Sequence, residues 1–353
     1  ISSTWEAYGD SITIGQGVNA NQMWTYIVNK ALGRTVVNRA VAGYNAQDTV
    51  KIMYNNRTTD CSTMIFIGTN DIRKTTVSSG TAYNLWQRAF HGSFGSLECV
   101  IMYAAIPIAN KVNARNATMT GTWVDAGAYT TVAKASSIAG STISTEVTGR
   151  FVCISCSAMN GTAVSTNYGE KANFDITNMV IDGDGTVGTY SDSGRQFAHF
   201  QVSGVITSTY SQRMLIYDTQ VSGPHTVTIT TAANLYGDQF FVDWFGAWDS
   251  TSMNLNNVLV IGVPGWQFRV DQGNSGTALY QDDDRRLTWN SCVRDVCRRL
   301  RTQFSVPAYF VDVPSYTPGQ LQTDGLHPNF MGQNYVAQRV LSVLQNGEYN
   351  YLV

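Results

Sequence analysis

An aspartate and a histidine three residues apart, Asp324 and His327, lie in the turn Thr323-Asp324-Gly325-Leu326-His327-Pro328-Asn329. A short turn with Gly and Pro can bend the carboxylate back onto imidazole Nδ1, which leaves Nε2 free to act as a base. Such a pair needs a nucleophile, and Ser11 is the candidate. It follows Trp5-Glu6-Ala7-Tyr8-Gly9-Asp10, where a strand-like stretch ends at a glycine and a polar loop begins. On its own, Asp-x-x-His is an ordinary surface turn. Its meaning depends on two companions, a lone Gly43 and the run Gly68-Thr69-Asn70-Asp71.

Together these residues are the parts that acyl transfer requires. A serine is a weak nucleophile at its own pKa and depends on a neighbouring base, here His327, whose tautomer Asp324 would hold. The oxyanion of a tetrahedral intermediate needs preorganised donors, each worth roughly 3 kcal/mol in the transition state. The backbone N–H of Ser11, the backbone N–H of Gly43 and the side-chain amide of Asn70 are the expected three. Glycine lets the main chain approach a substrate closely, and an amide donates without adding charge.

The elements that must position these groups alternate. Residues 5–8 read as a buried strand, followed by a 9–17 loop and an amphipathic helix through Trp24, Ile27, Val28 and Leu32 that closes at Gly33. A second strand over 35–41 ends near Gly43, a helix follows near 46–54, and an apolar third strand over 63–67 ends at Gly68. Continuous apolar strands suit a parallel sheet covered on both faces, and ligands bind such sheets at the carboxyl ends of the strands. Residues 80–108 read as mostly helical. Strand 257–263, a helix opened by Asp282, Asp283 and Asp284, strand 308–313 and a last helix through Met331, Tyr335, Val340 and Leu344 resume the pattern.

Between the two α/β portions, Thr, Ser, Gly and Val dominate and short alternating runs are broken by turns, as expected of an inserted β-sandwich. The expected organisation is a hydrolase-type first part over 1–112, a β insert over 113–250 and the second part over 251–353. Trp244 and Trp248 are weighed as core against sugar-stacking platforms, and core is preferred. Asp182 and Asp184 are read as a turn, and His91, His199 and His225 as structural.

The chain has 353 residues with 23 Lys plus Arg against 25 Asp plus Glu, a net charge of −2. That balance gives no footprint for nucleic acid or an anionic membrane surface, and no apolar run approaches a membrane span. A start at Ile1 without an apolar leader reads as a processed or excised chain. The six cysteines are neither a disulfide scaffold nor zinc-spaced, and Cys153-x-x-Cys156 lies in a strand-like run, so free thiols are expected.

Gly9-Asp10-Ser11-Ile12-Thr13, Gly43, Gly68-Thr69-Asn70-Asp71 and Asp324-Gly325-Leu326-His327-Pro328-Asn329 resemble, in order, the four blocks of the SGNH (GDSL-type) hydrolases. The resemblance covers about 5–110 and 255–345. It implies a flavodoxin-like three-layer α/β/α domain and cofactor- and metal-free hydrolysis of carboxylic esters. Ser11, Asp324 and His327 would be its triad, and Ser11, Gly43 and Asn70 its oxyanion hole. The simple family domain lacks the β-rich insert, whose layout is similar to carbohydrate-binding-like sandwiches of phage tail-spike deacetylases and other carbohydrate esterases. The expected activity is O-acetyl removal from a polysaccharide or glycan in an extracellular or virion-surface setting, with a homotrimer expected only by analogy. The rival expectations are a lipase or thioesterase on non-sugar esters, and a virion module that binds a glycan receptor.

Overall fold

The computed structural model describes residues 4–72, 95–126, 130–159, 171–172, 176–182, 197–198, 210–231, 239–250, 255–265 and 283–346. Its α/β portion contains β1 (Thr4–Gly9), α1 (Ser11–Ile14), α2 (Trp24–Leu32), β2 (Thr35–Asn38), α3 (Ala46–Asn56), β3 (Ser62–Phe66) and α4 (95–105). After the insert come β16 (Val258–Ile261), α5 (Asp283–Phe304), β17 (Ala308–Val311) and α6 (Phe330–Asn346). Five strands pair in the order β17-β16-β3-β1-β2, all parallel. In chain order this is 2-1-3-4-5, the flavodoxin-like arrangement, whose topological switch point lies between β1 and β3. Every residue of β3 and β16 is buried, which explains why both read as unbroken apolar runs.

Helices α2 and α6 pack together on one face of the sheet. Trp24 and Val28 point inward, and so do Val336, Ala337 and Val340. On α3, Val50, Met53 and Tyr54 are buried at three- and four-residue spacing. Arg57, at the C-terminus of that helix, is a buried cation tied to Glu6 at 3.0 Å, Thr63 Oγ1 at 2.8 Å and the Ala104 carbonyl at 3.0 Å. One guanidinium thereby joins β1, β3 and α4, with its charge paired inside the fold.

The insert contains β4 (Lys111–Asn113), β5 (Thr118–Thr120), β6 (Val124–Asp125), β7 (Lys134–Ser136), β8 (Thr142–Thr148), β9 (Phe151–Met159) and β10 (Lys171–Ala172). Five more strands follow: β11 (Ile176–Ile181), β12 (Phe197–Ala198), β13 (Tyr210–Asp218), β14 (Pro224–Thr231) and β15 (Gln239–Trp248). One antiparallel sheet runs β13-β9-β15-β7-β6 with β4 on β15, and another runs β11-β14-β8-β5. Alternation along β9 shows what each face does. Val152, Ile154 and Cys156 enter a core with Ile143, Val227 and Ile229 of the second sheet, whereas Phe151 and Cys153 enter the core of the α/β portion with Trp244 and Trp248. The larger sheet is therefore a middle layer, apolar on both sides. Cys153 and Cys156 face opposite ways, and all six cysteines are free.

The seam between this layer and the α/β portion is aromatic with a small polar centre. Tyr103 lies edge-on to Trp244 at 5.3 Å between ring centroids, and the Trp248 indole donates to the Phe304 carbonyl at 2.7 Å. Ser155 Oγ bonds both Tyr54 OH and Asp243 Oδ2 at 2.8 Å. Asp243 sits at a register shift in β15 and is fully buried. Burial pushes its carboxyl up to about 8, against the opposing pull of the Ser155 hydrogen bond.

Several expectations shift in detail. The second strand ends at Asn38, three residues early, although the Arg39 and Val41 amides still bond the β1 carbonyls of Ala7 and Gly9. Of the 80–108 run read as mostly helical, 95–105 is helix, and 80–94 lies outside the described residues. Trp244 and Trp248 are core, at 0% and 1% exposure. His225 is a buried structural histidine whose Nδ1 pairs with Asp182 at 2.6 Å. Asp182 gives its other oxygen to the Thr226 amide, so its carboxylate closes a turn. His91, His199, Asp184 and Asp282 lie outside the described residues.

Candidate active site

Ser11 does not lie in a loop, as the run after Gly9 suggests, but in the first turn of α1, a four-residue helix. Asp10 caps that turn, its Oδ1 accepting from the Ile12 amide at 2.9 Å. The missing side chain at Gly9 is a packing requirement: a Cβ there would stand 2.3 Å from both the Phe66 carbonyl oxygen and Thr13 Oγ1. Thr13 Oγ1 donates to that same carbonyl and Asn38 Nδ2 donates to the Thr13 carbonyl, so β3 and β2 brace the turn that carries the serine.

Asp324 and His327 lie in the segment between β17 and α6. The carboxylate folds back as the spacing suggests: Oδ1 accepts from the Leu326 and His327 amides at 3.0 Å each, and Oδ2 meets His327 Nδ1 at 2.5 Å. Burial raises the Asp324 pKa, but the hydrogen bonds from the His327 ring and the two amides outweigh it and hold the carboxyl below its ordinary range. It is thus an anion at neutral pH. With Nδ1–H committed to Asp324, His327 Nε2 faces Ser11 Oγ at 2.9 Å. Ser11 and His327 are 5% and 7% exposed, so this contact is largely shielded from water.

Asn70 follows β3, and its Nδ2 donates to the Tyr44 carbonyl at 2.8 Å. An amide nitrogen carries two hydrogens, and Tyr44 takes one. Asn70 is therefore anchored beside the 41–45 turn that contains Gly43, which has φ 82 and open space where a Cβ would be. Asp71 has a separate task, accepting from the Ala46 amide at the start of α3 at 3.2 Å. The structure thus unites Ser11, His327 and Asp324 by direct hydrogen bonds, and sets Asn70 against the Gly43 turn at the neighbouring strand end.

Two glutamines that sequence reading passed over complete the surroundings. Gln322 Nε2 donates to the Gln16 carbonyl at 2.6 Å and to the Pro328 carbonyl at 3.1 Å. Gln333 Oε1 accepts from the Trp24 amide at 2.9 Å, and its Nε2 donates to the Ile12 carbonyl at 3.1 Å. Glutamine has no spacing signature, and three of these four bonds span more than 300 residues.

Fold and site together define a Ser-His-Asp arrangement at the switch point of a flavodoxin-like sheet. The chain is similar to the SGNH hydrolases in strand order and in all four motif blocks. No protein-family model and no curated protein sequence matches it. Similar solved structures include Est24, a carbohydrate acetylesterase from Sinorhizobium meliloti (9% identity, 97% of this chain and 98% of that chain, TM-score 0.40). Another is a two-domain esterase active on acetylated mannans (9%, 70% and 91%, TM-score 0.31). A third is a member of the lipolytic protein G-D-S-L family from Veillonella parvula DSM 2008 (23%, 29% and 52%, TM-score 0.21), of which this chain spans about half the length.

Proposed function

We propose that this chain is a serine esterase that removes acetyl groups from a polysaccharide or glycan. The observation that carries the chemistry is the unbroken relay from Ser11 Oγ through His327 to Asp324, at 2.9 and 2.5 Å. In the proposed reaction Ser11 Oγ attacks the ester carbonyl while its proton passes to His327 Nε2. The oxyanion receives hydrogen bonds from Ser11 N–H, Gly43 N–H and Asn70 Nδ2. Collapse breaks the ester C–O bond, and His327 protonates the departing sugar oxygen. Water, deprotonated by the same imidazole, then attacks the acyl-serine, and the imidazolium returns that proton to Ser11 Oγ as acetate leaves.

The glycan half of the reading is supported by the near-neutral charge, which suits an uncharged polar substrate, and by the two larger sheets of the insert, read as a sandwich that positions the sugar. Its low charge content and Ser-, Thr-, Asn- and Gly-rich composition fit an extracellular or virion-surface setting. Hydrolysis of a chromogenic acetate ester by wild type and not by Ser11→Ala tests the chemistry. Mass spectrometry of acetate release from acetylated polysaccharides tests the substrate: cleavage of longer acyl esters with no acetate released from glycans would hand the site to the lipase or thioesterase reading.

A further inference from the structure

The nucleophile and the acid-base pair come from opposite ends of the chain, and their separation must be held within a few tenths of an ångström for proton transfer. Two side-chain amides span that divide. Gln333, fully buried in the first turns of α6, reaches back to the carbonyl of Ile12, the residue after the nucleophile. Its orientation is dictated, because the Trp24 amide is a donor and must meet Oε1, which leaves Nε2 for Ile12. That bond has a second effect. Met23, the N-cap of α2, offers no side-chain cap, so Gln333 supplies one from across the fold. On the other side of the histidine, Gln322 binds the Gln16 carbonyl just after α1 and also the Pro328 carbonyl next to His327. Gly17 leaves room for it: at φ 80, a Cβ there would stand 2.2 Å from Gln322 Oε1.

Resting on the esterase reading, we infer that Gln322 and Gln333 are positioning residues that set the Ser11–His327 distance by stapling the His327 segment to the nucleophile turn. Neither touches the reacting atoms. Each bonds a backbone carbonyl close in sequence to Ser11, one from either side of the histidine.

The test is steady-state hydrolysis of a chromogenic acetate ester by wild type, Gln333→Met, Gln333→Glu and Gln322→Met, with thermal unfolding of each. Methionine keeps the approximate length and removes the hydrogen bonds; glutamate keeps an acceptor for the Trp24 amide and loses the donor to Ile12. The expected result is a kcat lower by roughly 10- to 100-fold in both Gln333 variants and about 10-fold in Gln322→Met, with KM within about twofold. Phosphonylation of Ser11 by a p-nitrophenyl phosphonate should slow in parallel. Wild-type kcat in Gln333→Glu and Gln322→Met, whatever their stability, overturns the inference and leaves the glutamines a role in folding only. Gln322 is partly exposed, so its variant gives an answer even where a Gln333 variant fails to fold. The esterase reading fails separately, when Ser11→Ala hydrolyses the ester as fast as wild type.

Discussion

Ser11 Oγ stands 2.9 Å from His327 Nε2 although 316 positions separate the two residues. No local preference produces that contact. It follows from β1 and β17 lying in one parallel sheet, with α1 and the 312–329 segment both emerging at its carboxyl edge.

Asp324→Asn should lower kcat/KM on the order of 10³- to 10⁴-fold with little loss of fold. An asparagine keeps an acceptor for the Leu326 and His327 amides but can turn an N–H toward Nδ1, which then favours the tautomer with its proton on the atom that must accept one. Ester hydrolysis rates with a matched unfolding curve check this. Activity within threefold of wild type would remove Asp324 from the relay.

Asn70→Ala should lower kcat by about 10²- to 10³-fold, the loss of one oxyanion donor, while KM changes little. Because Tyr44 O holds the same amide, the variant should also loosen the 41–45 turn. Measured kcat and KM separate the two effects: a rise in KM alone would assign Asn70 to substrate binding.

Asp243→Asn should raise stability in mildly alkaline solution. Burial lifts the folded-state pKa to about 8, whereas the unfolded carboxyl titrates near its ordinary value, so the folded state holds more protons between them. The protonated residue's contribution is complete at pH below the unfolded pKa, and falls by about 1.4 kcal/mol per pH unit as the pH climbs towards 8. Asparagine copies the protonated shape and has no such slope. The difference in unfolding free energy between variant and wild type should therefore grow in favour of the variant from pH 5 to 8; a pH-independent difference would contradict the assignment.

Trp244→Ala should cost about 3–5 kcal/mol and unfold the chain in one transition. Trp244 belongs to the core that also contains Tyr54, Tyr103 and the parallel strands, so the larger insert sheet and the α/β portion share stability. For the same reason, removal of 113–250 should leave an aggregating remnant. Two resolved calorimetric transitions in wild type would show the opposite.

The alternation of strand and helix was legible because buried parallel strands must be apolar throughout and α2 repeats its apolar residues at three and four. The Asp324–His327 pair was legible because its geometry is local. What sequence could not show depends on contacts between distant segments. The double-sided burial of β9 looks like any strand run, and a four-residue helix at Ser11 lacks the length for a period. Gln333 and Asp243 announce nothing until their partners from other elements surround them.

The central claim is that Ser11 forms the covalent intermediate. Intact-mass and peptide mass spectrometry after incubation with a p-nitrophenyl phosphonate tests it most directly. The account predicts one phosphonyl adduct, mapped to the peptide containing Ser11, formed with loss of ester hydrolysis and absent in Ser11→Ala. Complete inactivation with Ser11 unmodified, or undiminished hydrolysis by Ser11→Ala, would contradict it.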